Sequence, residues 1–294
     1  MKVLVTGGSG QLGSYLLDEL MKNHEPLGID LREPSIGEHR PLVSRVDIRD
    51  LIGAKKACEG MNVVIHAAAQ VSVEKSVLDP RSDADTNIIG TLNMLEASVS
   101  AGVKKFIYVS SAAVYGDPQY IPVDENHPKT PKSFYGVSKL AAEHYVRTYG
   151  DCRGLGYVIV RPFNFYSPRA DPMSPYSGVI TKFVQWARQG KPIMIEGDGE
   201  QTRDFIHAKD VARMILSTTE SSIKNEILNC GSGRGTSINE LAATLSSLRG
   251  GLEIEHVGPR TGDIRHSVAD VKQATEVLGL RPEISIEDGL ASFF

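Results

Sequence analysis

The glycine-rich segment near the amino terminus constrains the fold more than any other part of the sequence. A short apolar run ends at Thr6, and residues 7–13 (GGSGQLG) follow before a helix-like stretch begins. This spacing is typical of a tight turn at which the backbone approaches a pyrophosphate and a helix begins with free N–H groups. The three glycines of the pattern are Gly7, Gly10 and Gly13. The segment predicts a strand, a phosphate-binding turn and a helix, with a plain tight turn as the alternative.

Short apolar runs alternate with helix-like segments through the first half of the chain. The runs are rich in β-branched residues, as is typical of parallel strands buried on both faces, and lie at residues 2–5, 27–30, 63–66, 105–109 and 157–161. The segments between them are long enough for crossover helices, for example residues 11–22, 85–101 and 135–149. The alternation predicts right-handed βαβ units in a parallel sheet.

The regular pattern ends after Pro162. Residues 167–175 form a Pro- and Ser-rich loop that we expect to leave the sheet for a smaller lobe. Residues 204–217 indicate a return to the large domain, and residues 239–250 indicate a helix of the small lobe. The predicted division is a large domain of residues 1–165 with about 204–230, and a second lobe of residues 166–203 and 231–294.

The ends of the second and third predicted strands indicate the cofactor. The second ends at Asp30, where a carboxylate can accept hydrogen bonds from the adenosine ribose hydroxyls and repels a 2′-phosphate, which predicts NAD. Arg32 keeps NADP as the alternative, because an arginine pairs with that phosphate if Asp30 turns aside. The third strand, residues 42–46, leads to Asp47, whose carboxylate can meet the adenine amino group. A helix cap is the alternative for Asp47.

A tyrosine and a lysine form the candidate acid-base pair. Tyr135 and Lys139 are four residues apart, so on a helix they share one face, about 6 Å apart along the axis. A phenol has a pKa of about 10, so a phenolate near neutral pH needs stabilisation of about 4 kcal/mol. Lys139 and the positive nicotinamide of NAD together supply much of it. A surface pair on a helix is the alternative, because this spacing is common by chance.

Six parts of the chain resemble, in order and spacing, the extended short-chain dehydrogenases/reductases that modify nucleotide sugars. They are residues 7–13, 66–69, Asn87, 111–116, 135–139 and 161–164. Residues 121–125 with Pro131 look like the active-site loop of that family, and residues 197–207 and 260–263 are similar to its nucleotide-sugar segments. The likeness covers nearly the whole chain. It implies an α/β fold, a Rossmann-type doubly wound parallel sheet with a smaller C-terminal α/β lobe for the substrate.

The resemblance also implies roles for individual residues. Tyr135 is the acid/base, Lys139 its modulator and ribose ligand, and Ser111 the hydroxyl that hydrogen-bonds the reacting sugar oxygen. The positions that match cofactor contacts are Gly7, Gly10, Gln11, Leu12, Gly13, Asp30, Leu31, Asp47, Ile48, Ala67, Ala68, Ala69, Asn87, Tyr135, Lys139 and Phe163. The positions that match substrate contacts are Ser111, Tyr135, Asn164, Arg203, Arg260, Asp263 and Ser267. Arginine suits phosphate because its planar fork pairs with two oxygens, and surface salt bridges are the alternative for the two arginines.

Three departures from the family pattern accompany the resemblance. Gln11 replaces an aromatic residue that is common in the glycine loop, and Ser167 stands where a glycine usually follows the aromatic residue after Asn164. The chain also ends soon after Gly289. None of these departures removes a catalytic group.

The reaction that the resemblance implies is 4-epimerisation of a UDP-hexose through a 4-keto intermediate, without net consumption of NAD. Nucleotide-sugar 4,6-dehydratases and UDP-glucuronate decarboxylases are the nearest alternatives. They carry acidic side chains directly after the active-site hydroxyl, whereas Ala112 and Ala113 follow Ser111 here. A noncatalytic NAD-binding protein and a reductase of a non-nucleotide ketone are alternatives from other classes. The intact Ser111, Tyr135 and Lys139 disfavour the former, and the phosphate-binding arginines disfavour the latter.

Ser267 bears on the breadth of the substrate. In family members restricted to UDP-glucose and UDP-galactose, the matching position carries a tyrosine that narrows the pocket beside the sugar C2 substituent. Serine is far smaller, so we expect the N-acetylated pair of sugars to be accepted as well. The alternative is that another side chain fills the space.

Composition and cysteine content exclude several other classes. The chain has 32 basic and 36 acidic residues and a formal charge of −4, so it has no cationic field for a nucleic-acid partner. Its first apolar run is too short for a signal-peptide core, which predicts a cytoplasmic protein without a membrane partner. The three cysteines lack paired spacing, so neither a disulfide framework nor a metal site is expected. The family resemblance adds a homodimer formed through residues 85–101 and 135–149.

Overall fold

Strands and helices alternate along most of the chain, as the periodicity predicts. A computed structural model describes residues 1–171, 178–259 and 264–294. The strands are β1 (Lys2–Thr6), β2 (Glu25–Asp30), β3 (Val43–Arg45), β4 (Val63–His66), β5 (Lys105–Val109), β6 (Gly156–Pro162), β7 (Asn164–Tyr166), β8 (Ile193–Glu196), β9 (Thr202–Arg203), β10 (Phe205–His207), β11 (Glu226–Cys230), β12 (Thr236–Ser237), β13 (Ile254–Val257) and β14 (His266–Ser267). The α-helices are α1 (Gln11–Leu20), α2 (Leu51–Cys58), α3 (Val73–Leu78), α4 (Pro80–Ala84), α5 (Gly90–Ser100), α6 (Phe134–Arg153), α7 (Val179–Arg188), α8 (Ala208–Glu220), α9 (Ile238–Leu248), α10 (Lys272–Leu278) and α11 (Ile286–Ala291).

A seven-stranded parallel sheet forms the large part of the molecule, in the order β11-β6-β5-β4-β1-β2-β3. The predicted doubly wound sheet is therefore confirmed. The chain moves outward from β1 to β3 and then crosses back to β4, so the order of the strands reverses between β1 and β4. In open α/β sheets a ligand binds beside such a reversal, at the carboxyl ends of the strands. The residues that follow β1, β4 and β5 meet at this edge.

Alternating side chains of each strand supply two apolar layers. Val3 and Val5 pack on one face with Leu16 and Leu20 of α1. Leu4 packs on the other face with side chains of α2 and α5. Each fully buried leucine of this kind contributes about 1.5–3 kcal/mol relative to an exposed one. Burial on both faces explains why the strands are continuous apolar runs rather than alternating ones.

Most predicted elements differ from the observed ones by a few residues at their ends, and two of the differences lie near the predicted cofactor site. The third strand is Val43–Arg45 rather than residues 42–46. The helix predicted over residues 85–101 is divided, because a π-helical turn, Asp85–Ile89, precedes α5. A π turn inserts an extra residue per turn and is common at functional sites. Here it places Asn87 toward the buried side, with an exposed fraction of 2%.

A buried ion pair joins β6 to α6. Arg161 is 1% exposed and forms a bidentate pair with Glu143, with Nε to Oε1 at 2.9 Å and Nη2 to Oε2 at 2.6 Å. The Ser110 hydroxyl, at the end of β5, donates to Glu143 Oε1 at 2.5 Å. Arg161 Nη1 donates to the Tyr115 hydroxyl at 2.9 Å, and this hydroxyl donates to Asn229 Oδ1 of β11 at 2.6 Å. The pair therefore holds three neighbouring strands and α6 in one hydrogen-bonded network.

The remaining strands form three smaller sheets within the described residues. They are the pair β7 and β10, the pair β8 and β13, and the three strands β12-β9-β14. Their apolar core includes Phe183 of α7, Ile193 of β8 and Leu241 of α9. Val123 connects the loop before α6 to this region, because Val123 N–H donates to Val268 O and Asp270 N–H donates to Val123 O, both at 2.8 Å.

Two further structural findings concern membranes and thiols. Among the described residues, no helix has both the length and the apolar character needed to cross a bilayer. Cys58 and Cys230 are buried, Cys152 is exposed, and all three are free thiols.

Candidate active site

The glycine turn after β1 has the geometry of a pyrophosphate-binding loop. The N–H groups of Gly7 and Gly8 donate to Ile29 O at 2.8 and 3.2 Å, which folds the turn back onto the end of β2. Gly7 has φ +73°, and a Cβ at Gly13 would lie 2.0 Å from Gly7 O, so neither position accepts a side chain. Gly10 caps α1 without a side-chain acceptor. The first turn of α1 therefore presents N–H groups and positive potential to an anion.

Asp30 is held in place at the end of β2. Its Oδ2 accepts from Ser9 N–H at 3.0 Å, and its Oδ1 accepts from Arg32 N–H at 2.9 Å. The NADP alternative required Asp30 to turn aside, whereas both of its oxygens are fixed by backbone donors. The Arg32 side chain is 62% exposed and stands 3.9 Å from the carboxylate. Leu31, which is half-exposed, borders the same rim.

Asp47 and Ile48 follow β3 at the neighbouring position. The carboxylate of Asp47 accepts from Arg49 Nη2 at 2.7 Å, and this side-chain hydrogen bond lowers the pKa of Asp47. Helix α2 is capped by Asp50, whose carboxylate accepts from Ile52 N–H at 3.0 Å. The alternative interpretation of Asp47 as the helix cap is therefore wrong. Ile48 is 6% exposed and is buried.

The segment after β4 is fixed to β1 and to the π turn. Thr6 Oγ1 accepts from Ala68 N–H at 3.0 Å and lies 2.7 Å from His66 Nδ1. Ala67 and Ala69 flank Ala68 and are half-buried. The Asn87 amide nitrogen lies 3.0 Å from Gln70 O, and its amide oxygen accepts from Gln70 N–H at 2.8 Å. Because these bonds occupy the amide, Asn87 positions the chain around the predicted cofactor site.

The three predicted catalytic residues come from different elements. Ser111 follows β5, and its hydroxyl accepts from Ala113 N–H at 3.2 Å. Tyr135 and Lys139 lie in the first two turns of α6, which is capped by the Ser133 side chain. The backbone N–H of Tyr135 donates to Ser76 Oγ of α3 at 3.1 Å. The loop after β5 and the start of α6 thus meet at the sheet edge beside the glycine turn.

Burial controls the protonation of this group. Lys139 is 3% exposed and donates to Val109 O at 2.5 Å, with its ammonium 4.5 Å from the centre of the Tyr108 ring. Burial lowers the pKa of Lys139 to about 7, against the opposing charges of Glu143 and Asp83. Burial also raises the pKa of Tyr135, while the Ser111 hydroxyl acts in the opposite direction. The site therefore disfavours charge until a ligand compensates for it, as expected of an acid-base group.

Two of the predicted substrate residues lie side by side. Strands β9 and β14 pair in parallel, with Ser267 opposite Arg203. The Arg203 guanidinium donates to Thr202 O at 2.8 Å through Nη1. Asn164 is exposed at the start of β7, and its N–H donates to Asp204 O at 3.0 Å. Arg260 and Asp263 lie outside the described residues.

Asp204 holds together the segments that contain the predicted substrate residues, although the sequence did not indicate this role. It is fully buried and accepts from the N–H groups of Ser232, Gly233 and Ala269 at 2.6, 3.0 and 3.0 Å. Burial raises its pKa, and these hydrogen bonds oppose the shift. Its position inside the segment 197–207 was the only signal, because its partners are remote in sequence.

Phe163, a predicted cofactor residue, is 5% exposed and packs in a small apolar cluster with Tyr115 and Val123.

The donor set suits a nicotinamide dinucleotide, and no metal ligand set competes with it in the described chain. Within residues 1–171, 178–259 and 264–294, no group of three or more His, Cys, Asp or Glu is arranged to hold a metal ion. The close glycine turn, the fixed Asp30 and the buried Tyr135 and Lys139 fit NAD. A parallel dinucleotide-binding sheet with serine, tyrosine and lysine at this edge is the arrangement that the resemblance to the extended short-chain dehydrogenases/reductases implies.

The comparisons with known proteins specify the family. The sequence model of the NAD dependent epimerase/dehydratase family matches residues 3–231, and the chain belongs to this family. A UDP-glucose 4-epimerase of Mycolicibacterium smegmatis is 34% identical over 303 residues, which cover 99% of this chain and 96% of that protein.

Solved structures agree closely with the whole chain. The crystal structure of UDP-glucose 4-epimerase from Thermotoga maritima with UDP-glucose has a TM-score of 0.93 and 36% identity, and covers 99% of this chain and 97% of that one. The UDP-N-acetylglucosamine 4-epimerase from Methanobrevibacter ruminantium M1, in complex with UDP-N-acetylmuramic acid, has a TM-score of 0.92 and 30% identity, with the same coverage of 99% and 97%.

The buried lysine generates a prediction about pH and stability. From pH 7 to pH 10 the Lys139 amine becomes increasingly neutral in the NAD-free folded protein, because its pKa there is about 7, but it stays largely protonated in the unfolded chain, whose lysines titrate near their usual pKa of about 10.4. The unfolded state then binds more protons, so the free energy of unfolding rises with pH in this window. We expect the NAD-free native protein to gain stability relative to Lys139→Met from pH 7 to pH 9.5, measured by urea unfolding. Parallel pH profiles for the two proteins would contradict the lowered pKa.

Proposed function

We propose that this chain is an NAD-dependent UDP-hexose 4-epimerase that interconverts UDP-glucose and UDP-galactose and also accepts the N-acetylated pair. The main support is that Ser111, Tyr135 and Lys139 lie together at the edge of the sheet. Two alanines, Ala112 and Ala113, directly follow the serine. Family membership and the named relatives support the same reaction.

Different residues of the chain take different roles in the proposed reaction. When bound, NAD accepts a hydride from the sugar C4 and later returns it to the opposite face. The Tyr135 phenolate takes the proton of the 4-hydroxyl as C4 is oxidised, and gives it back on reduction. Ser111 hydrogen-bonds the same oxygen, and the Lys139 ammonium stabilises the phenolate. Arg203 and Arg260 hold the diphosphate while the 4-keto sugar turns about that link. The net change inverts C4 and balances without an external oxidant.

The residues after Ser111 argue against the nearest alternatives. A 4,6-dehydratase or a decarboxylase needs a further proton-transfer group beside the sugar, and the three-residue turn Ala112–Val114 carries no ionisable side chain. Epimerisation requires only one acid-base group acting twice. Incubation with UDP-glucose and with UDP-N-acetylglucosamine, without added reductant, tests the proposal. We expect the corresponding galacto sugars and no dehydrated or decarboxylated product.

The first prediction from this function concerns Tyr135. Replacement of Tyr135 by Phe keeps the buried ring but removes the proton acceptor, so we expect turnover to fall by at least about 100-fold while NAD stays bound. The exposed Tyr145 of the same helix provides a matched control, since Tyr145→Phe removes a phenol that is 41% exposed. Steady-state turnover and the NAD content of each variant are the measurements. Turnover near the native value in Tyr135→Phe would show that another group is the base.

The position of Ser267 supports the proposed substrate breadth. It lies opposite Arg203 in the paired strands β14 and β9, so a small side chain stands next to a proposed diphosphate ligand. A serine leaves room for an N-acetyl group at C2 in both orientations of the rotating 4-keto sugar. The proposed substrate lobe, residues 166–203 and 231–294, contains both of these residues. Asn164 precedes that lobe by two residues.

The second prediction therefore concerns Ser267. We expect Ser267→Tyr to abolish turnover of UDP-N-acetylglucosamine and to spare UDP-glucose, because a filled pocket clashes only with the larger substituent. Ser267→Ala is the control and should retain both activities. The measurement is kcat/KM for each sugar. An equal loss of both activities in the tyrosine variant, or no N-acetyl activity in the native protein, would contradict the pocket argument.

We also infer a homodimer formed through the predicted helices. Ile89 and Val137 lie in residues 85–101 and 135–149 and are 45% and 50% exposed, and the neighbouring α3 exposes Val77 and Leu78. An apolar face of this kind on a water-facing helix is typical of a protein interface.

The cytoplasmic location expected from the sequence stays a prediction.

Solution mass tests the homodimer. Light scattering should give about twice the chain mass of 31.9 kDa, and Val137→Glu should shift the mass toward one chain by placing a charge in the interface. Met194→Glu is the matched control, because Met194 is 41% exposed on β8, away from these helices. A native protein with the mass of a single chain would exclude the homodimer.

A further inference from the structure

Two of the three departures of this sequence from the family pattern, Gln11 and Ser167, contact each other. The Gln11 amide donates to Ser167 Oγ at 3.1 Å across 156 positions of the sequence. Gln11 is the first residue of α1, directly after the glycine turn, and Ser167 is fully buried just after β7. A phenylalanine at position 11 has no side-chain donor, a tyrosine or tryptophan there lacks the amide that donates here, and a glycine at position 167 has no side-chain acceptor. The two substitutions together therefore create a hydrogen bond that neither creates alone.

A second contact lies further along the same helix. The Arg169 guanidinium lies 3.9 Å above the centre of the Tyr15 ring, and its Nη2 lies 2.6 Å from Asp18 Oδ2. The other oxygen of Asp18 lies 2.7 Å from Nε2 of His39, a residue that is 1% exposed. Asp18 is thus fixed from both sides. A stacked and paired arginine is held more firmly than an exposed ion pair.

The contacts follow one face of α1. Gln11, Tyr15 and Asp18 are spaced four and three residues apart, which places them on one side of the helix. The residues that contact them, Ser167 and Arg169, follow β7 and lie at the start of the predicted substrate lobe. Arg169 N–H also donates to Ser167 Oγ at 3.2 Å, which joins the two contacts into one unit. We name these five residues the clasp.

We propose that the clasp retards the release of NAD from this protein. The inference rests on the proposed function, because an epimerase must keep the reduced cofactor until the 4-keto sugar has turned and accepted the hydride. Gln11 directly follows Gly10 of the glycine turn, so its hydrogen bond ties Ser167 to the predicted phosphate-binding end of α1. Lifting that segment requires the Gln11–Ser167 hydrogen bond and the Arg169 contacts to break. These contacts position the segment and do not take part in the chemistry.

The test measures how fast labelled NAD dissociates from the purified holoprotein, without sugar, after excess unlabelled NAD is added. Ser167→Ala removes the acceptor and retains Gln11 beside the cofactor site. Loss of one such hydrogen bond should speed release by about 3- to 10-fold. Arg169→Met should speed NAD release to a similar extent. Arg169→Lys should release NAD at a rate between those of the native protein and Arg169→Met. The control is Arg234→Met, which removes an exposed ion pair with Glu240 elsewhere on the surface, and it should release NAD at the native rate.

A double-mutant comparison separates the clasp from a general loosening of the fold. If Gln11 and Ser167 act through their mutual hydrogen bond, Gln11→Met combined with Ser167→Ala should release NAD no faster than the faster single variant. The thermal midpoint of each NAD-free variant should stay within a few degrees of the native value. Release rates within twofold of the native protein for both Ser167→Ala and Arg169→Met would overturn the clasp.

The outcome is distinguishable from a failure of the proposed function. Faster release in the clasp variants of a protein that epimerises no UDP-sugar supports the clasp and rejects the function. Normal epimerisation with unchanged release rejects the clasp and leaves the function in place. A native protein that binds no NAD rejects both.

Discussion

The buried pair of Arg161 and Glu143 is the interaction on which the geometry of the site depends. Arg161 closes β6 at the point where the chain leaves the large sheet, and Glu143 lies on α6 one turn beyond Lys139. Their bidentate contact, with Ser110 and Tyr115 bound to it, fixes α6, which carries the proposed catalytic Tyr135 and Lys139, against the strand that precedes Ser111. Removing one member of such a pair leaves an uncompensated buried charge, which costs about 3–5 kcal/mol. The network thus ties the position of the acid-base helix to the stability of the sheet.

The electrostatics of the NAD-free site follow from burial. A phenol and an ammonium that are both buried prefer their neutral forms, and the pKa values of Tyr135 and Lys139 move in the corresponding directions. A positively charged nicotinamide placed beside them would favour the phenolate. In the proposed mechanism the positive charge of the cofactor therefore adds to that of the Lys139 ammonium in stabilising the Tyr135 phenolate. This arrangement suits a reaction in which the oxidation state of the cofactor alternates within one turnover.

The proposed substrate segments are held together by backbone contacts rather than by one continuous sheet. Asp204 binds the N–H groups of two loops, β9 pairs with β14, and Val123 joins the loop before α6 to residues near Ser267. The clasp on α1 adds a connection between the glycine turn and the residues after β7, so the cofactor site and the proposed sugar site are linked on two sides.

The sequence by itself determined the large sheet, the glycine turn and the Tyr135–Lys139 spacing. These depend on local periodicity and on residues close together in the chain, which is why the predicted runs 63–66 and 105–109 coincide with β4 and β5. The π turn at Asn87 escaped prediction, because one extra residue in a helical turn does not alter the apolar pattern. Tertiary structure alone decided that Asp204 accepts hydrogen bonds from two separate loops. It also decided that Ser267 pairs with Arg203 in neighbouring strands and that the Gln11 amide donates to Ser167. Those contacts join residues 28 to 156 positions apart, and a hydrogen bond between remote side chains leaves no periodic signal in a single sequence.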